Sequence, residues 1–151
     1  MPNILIRVPE GVLDAERREK LAKAATTVAK TVEQGGDDPR QAALTWVAID
    51  EVKASYFFAG GKDPLKQMIP VVVFFHYPAG VLDDAARAEA ARLFQEVISA
   101  ARQPGDSRPV ATSVIMTEVA DGLWGASGRV VRLPDLAKAA GYKHLQHLVV
   151  A

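Results

Sequence analysis

The chain has 151 residues, with Lys+Arg and Asp+Glu both counting 18, and no cysteine. That length suits one domain or two very small ones. The even charge argues against a nucleic-acid partner, and the missing cysteine excludes disulfides, thiol catalysis and cysteine-bound metal. No apolar run approaches the roughly 18 residues needed to span a bilayer. No secretory signal is read at the start, so a cytoplasmic protein without a membrane partner is expected.

The first element in chain order is a strand, "NILIRV", which begins directly after Pro2. Proline cannot donate to a strand ladder and is tolerated mainly at edges and first residues. At a free N-terminus it is also a secondary amine, able to act as base or nucleophile. "PEGVLD" (Pro9 to Asp14) follows, with Asp14 placed to cap a helix. Leu21, Ala24, Ala25, Val28 and Val32 then fall on one helical stripe. A Gly/Pro/Asp loop, "EQGGDDPRQ", leads to a second strand within "TWVAIDEVKASYFFAGG". "KDPLKQM" (Lys62 to Met68) reads as a linker.

After it the chain repeats itself. "VVVFFHY" precedes "PAGVLD" (Pro78 to Asp83), and Asp83 is the second helix cap. Ala90, Leu93, Phe94, Val97, Ile98 and Ala101 form the second stripe. The loop "RQPGDSRP" leads to "TSVIMTEVADGLWGASG". There Thr112, Val114, Glu118, Val119, Ala126 and Gly128 match Thr45, Val47, Glu51, Val52, Ala59 and Gly61, and Trp124 falls opposite Phe57. The remaining segment reads as a short strand, a helix opened by Pro134 and Asp135, and a tail after Gly141.

Two β-α-β units predict an α+β fold, a four-stranded sheet with both helices on one face. The expected division is one domain of two pseudo-repeats, 2–61 and 69–133, with a C-terminal helix and tail over 134–151. The apolar tract over 69–75 predicts burial on both sheet faces, with the open face covered by further copies of the chain.

Pro2, "EGVLDAERREKL" and "TEVADGLWGASG" together resemble the tautomerase superfamily, and "DGLWGASGRVVRLP" is similar to its decarboxylase branch. The resemblance implies a homotrimer of fused repeats acting on a small molecule, without cofactor or metal. It implies that Pro2, after removal of Met1, is the general acid/base in keto–enol proton transfer. Such an amine titrates near neutrality once burial disfavours its charged form. Pro70 holds the equivalent place in the second half but is an internal amide.

The family's substrate-holding arginines would fall at Val12, Val81, Trp46 and Ser113, and the loop "HYPAGV" also lacks arginine. A less acidic or an aromatic enol is therefore expected. Trp124 matches the family's hydrophobic wall, and Phe57, Trp46 and Tyr56 are further candidates for it. Arg7, His76 and Arg129 are candidate replacements for the missing donors. The alternatives are Pro2-dependent hydration, dehalogenation or decarboxylation, or a trimer that binds without turnover. His144 and His147 lack a carboxylate or cysteine to complete a zinc site.

Overall fold

Alternating side chains set the first strand, and the structure, a computed structural model, describes residues 1–150. In β1 (Asn3–Pro9), Ile4, Ile6 and Val8 are buried while Asn3, Leu5 and Arg7 face the other way. Helix α1 (Ala15–Val32) starts at Asp14, whose carboxylate accepts the Arg17 backbone N–H at 2.8 Å. Its buried stripe is Leu21, Ala25, Val28, Ala29 and Val32, so Ala29 takes the buried place expected for Ala24.

The loop that follows is not wholly irregular. Asp38 caps a single turn, α2 (Pro39–Ala42), where Pro39 presets the backbone for the first helical position. Strand β2 (Trp46–Val52) then runs parallel to β1, with Trp46 opposite Asn3. A 3₁₀ turn over Ala54–Tyr56 and a bridge between Ala59 and Lys62 close the first half.

The second half repeats the plan with β3 (Ile69–Pro78), α3 (Asp84–Ala100) capped by Asp83, and β4 (Val110–Val119). A hairpin of β5 (Trp124–Ala126) and β6 (Arg129–Val131) stands where the first half has its bridge. Helix α4 (Leu133–Ala140) ends on Gly141, which adopts φ +65° as a left-handed cap. What the sequence suggests is a plain tail is a 3₁₀ helix, Lys143–Leu148.

The sheet order is β2-β1-β3-β4. The pairs β1–β2 and β3–β4 are parallel, and β1–β3 joins them antiparallel. Each parallel pair needs a crossover, and α1 and α3 supply them. The two helices pack together over one face, above Ile6, Val73 and Phe75. Phe94 meets Phe75 nearly edge-on, ring centroids 5.5 Å apart. Full burial of such a side chain contributes about 1.5–3 kcal/mol.

The expectation that β3 is buried on both faces holds for only one face of a single chain. Val71, Val73 and Phe75 are buried under the helices, whereas Val72, Phe74 and His76 are half-buried. The cause is that both helices cover the same side. On the open side Ile115 is 46% exposed and Trp46 68% exposed.

Candidate active site

The N-terminal end of β1 meets the C-terminal ends of α1 and α4, and the candidate site is there. Helix α1 stops at Glu33, whose backbone N–H still bonds Ala29 O. Gln34 turns left-handed at φ +51°, and Gly35 N–H returns to Lys30 O at 2.9 Å. The two helix ends are then stitched together. Gly36 N–H donates to Ala140 O at 3.0 Å, and Lys143 N–H donates to Gln34 O at 2.8 Å. The Gln41 side chain is wedged between Gly36 and Gly141, where an added Cβ would lie 2.1 and 2.4 Å from its amide atoms. At Gly36 the flexible Gln41 side chain could move aside, whereas at Gly141 the left-handed φ of +65° itself favours glycine.

The stitching brings two polar side chains under Pro2. Glu33 is the one buried charged residue among the described residues, 3% exposed. Tyr142 is fully buried beside it, and its hydroxyl donates to Glu33 Oε1 at 3.3 Å. The Met1 α-amine donates to the same hydroxyl. Burial pushes the Glu33 carboxyl up to about 7, against the opposing pull of the nearby amine. Burial also lowers the pKa of the Met1 amine, with Glu33 pulling the other way, and raises that of the Tyr142 phenol. Pro2, Glu33, Tyr142, Gln41, Thr45 and Lys30 line a cavity of about 200 Å³.

A second cavity, of about 310 Å³, lies on the other side of Met1, against Asn3, Trp46, Trp124 and Ser127. Met1 and Leu44 line both spaces, so Met1 is part of the partition between them. Trp124 is 8% exposed and forms the rear of this second space, whereas Trp46 is open on the sheet edge. His76 stands opposite Asn3 on the open sheet face and shares a shallow groove with Trp46.

The other sequence candidates lie elsewhere in a single chain. Arg7 sits near the far end of β1, paired with Asp50 at 2.9 Å and set over the Phe74 ring. Tyr56 and Phe57 follow the far end of β2, because that strand runs parallel to β1 and away from Pro2. Arg129 opens β6 on the exposed side of the hairpin. His144 packs by its ring Nε2 at 2.9 Å from Val81 O. No group of three or more potential metal ligands occurs among the described residues. No helix among them is long and apolar enough to cross a membrane.

At the level of sequence, no family model and no curated protein matches the chain. Solved structures do. A fused 4-oxalocrotonate tautomerase, a symmetric trimer, superimposes with TM-score 0.67 at 16% identity, over 92% of this chain and 98% of its own. The chain has the tautomerase-superfamily fold. Pt0534, solved after inactivation by 2-oxo-3-pentynoate, gives TM-score 0.67 at 13% identity over 85% of this chain and 94% of its own. Macrophage migration inhibitory factor of Toxoplasma gondii gives 0.64 at 11% identity, over 85% and 99%. Within this tautomerase-type fold, sequence reasoning did not reach Glu33 or Tyr142. One signal was present: Glu33 follows Ala25 and Ala29 at four-residue steps and so continues the buried stripe of α1.

Proposed function

We propose that this chain is a tautomerase-like isomerase that moves a proton between oxygen and carbon of a small aromatic enol or α-keto compound. Pro2, freed by loss of Met1, is the acid–base group. The single observation that carries this reading is the position of Pro2. It is fully buried at the start of β1, in a cavity whose other polar groups include a carboxyl and a phenol. An amine in such a place loses stabilisation of its charged form and so becomes a base near neutral pH.

The substrate class follows from charge. Lys30, the side-chain cation on this cavity, is paired at the rim with Asp37 at 3.2 Å. The buried charge is a carboxyl, which would repel a dicarboxylate rather than hold one. Trp46 and Trp124 supply an aromatic wall on the Met1 side. The two cavities joined would fall within the range of small-molecule sites, about 300–1,000 Å³.

We further read the chain as one domain of two pseudo-repeats, 2–61 and 69–133, that assembles as a homotrimer. The uncovered sheet face with Leu5, Phe74 and Ile115 favours assembly, as does the trimeric state of the fused 4-oxalocrotonate tautomerase. Two measurements test the reading. Intact mass should be short by one methionine, and the purified protein should convert phenylpyruvate enol to its ketone. Sedimentation should give three times the chain mass of 16.2 kDa, falling to the monomer in Ile115→Lys. A full-length mass without turnover would sink the isomerase reading, and a wild-type monomer would sink the trimer.

A further inference from the structure

We propose that Glu33, held by Tyr142, is a second acid–base group working with the Pro2 amine, and that this pair fits the site to aromatic enols rather than dicarboxylates. The inference rests on the Pro2 reading above.

A lone buried carboxyl is costly unless its surroundings compensate it. Here the chain keeps one, and the compensation is a line of hydrogen bonds from the N-terminal amine through the Tyr142 hydroxyl to Glu33 Oε1. Successive backbone nitrogens lie only about 3 Å apart, by covalent geometry. Loss of Met1 therefore leaves the Pro2 nitrogen one short step from the same hydroxyl. Tyr142 is fixed where it stands, between the Gly141 cap and the Lys143–Gln34 backbone bond.

The groups facing Glu33 are few. The amine comes from the chain start just before β1, and Tyr142 from just beyond the Gly141 cap of α4. Lys30 and Lys143 both turn to Asp37 at the rim, at 3.2 and 3.0 Å, and Asp38 is taken by Arg40. The amine is thus the cation that senses Glu33.

The reaction closes without any co-reactant. The Pro2 nitrogen takes the enol O–H proton while the Glu33 acid gives its proton to the carbon. The C=C electron pair forms the new C–H bond, and the O–H pair becomes the second bond of the C=O. The Pro2 ammonium then passes its proton through the Tyr142 hydroxyl to the Glu33 carboxylate, which restores both groups. A dicarboxylate would set its second carboxylate against the Glu33 carboxylate formed in that cycle, whereas the ring of an aromatic monoacid can rest on Trp46 and Trp124.

The test uses Glu33→Gln, Glu33→Asp and Tyr142→Phe in the full chain, with two readouts. On phenylpyruvate enol, Glu33→Gln should lower kcat by about 100-fold, with KM nearly unchanged. It should also erase the pH limb near neutrality, and Glu33→Asp should restore part of the rate. Independently of turnover, 3-butyn-2-one should alkylate the N-terminal amine, followed by mass spectrometry across pH. Without the Glu33 charge to favour the ammonium, the labelling midpoint should move to lower pH.

A Glu33→Gln protein with the wild-type pH–rate profile, or an unmoved labelling midpoint, overturns the proposal. So does a wild-type mass that retains Met1. If Pro2→Ala lowers kcat while Glu33→Gln does not, the Pro2 reading stands without Glu33. If neither substitution matters, the Pro2 reading itself fails.

Discussion

Pro2→Ala lowers kcat for enol–keto conversion by about 100-fold, the low end of what positioned acid–base groups contribute. The effect is not larger because alanine at the mature N-terminus still carries an α-amine. What is lost is the ring. Proline fixes the nitrogen lone pair relative to the backbone, and the buried setting of Pro2 holds that ring in place. A primary amine rotates freely and spreads its lone pair over directions that do not face the substrate. Capping the amine with 3-butyn-2-one turns it into an enaminone, whose nitrogen lone pair is delocalised into the carbonyl, so the base is lost outright and the fall in rate should approach about 10⁴-fold. Steady-state rates with both proteins, alongside circular dichroism to confirm the fold, check this. Turnover unchanged by either treatment would remove the amine from the mechanism.

The fold was legible because the chain states it twice. Two caps, Asp14 and Asp83, and two helical stripes required the same crossover in each half, and both crossovers are present. The pairing of β1 with β3 was less legible, since strand order depends on contacts between halves and not on either pattern alone. At the site, Pro2, Trp46 and Trp124 do converge around Met1. Arg7, Tyr56 and Phe57 do not reach them in one chain, because residue type marks a candidate while strand direction decides which end it occupies. Glu33 was hidden at the start of a Gly-rich loop, and Tyr142 in what read as a tail. Their burial arises only when the ends of α1 and α4 are joined, through Gly36, Ala140, Gln34 and Lys143.

Glu33→Gln should make the protein more stable at pH 8 while leaving its stability at about pH 4 nearly unchanged. The wild-type carboxyl is pushed from 4.5 up to about 7 by burial. The folded chain therefore holds this proton more tightly than the unfolded chain. The contribution of Glu33 to stability is fully present below pH 4.5 and is lost as pH rises from there to about 7, while the unfolded state sheds the proton first. At 1.36 kcal/mol for each unit, the loss reaches about 3 kcal/mol. The buried N-terminal amine works in the opposite sense. Its pKa is lowered on folding, so its penalty is present at low pH and fades as pH rises toward 8.0. At pH 4 the Glu33 acid is uncharged, as glutamine is, and by pH 8 the amine's penalty has largely faded, so comparing the two proteins at these two pH values isolates Glu33. For a chain of this length the difference at pH 8 corresponds to a rise in Tm of roughly 6–12 °C. Denaturant titrations at pH 4 and pH 8 check it, and parallel stability in both proteins at both pH values would sink the argument. A variant that is both more stable and less active is the combination expected where a charge is kept for chemistry against the preference of the fold.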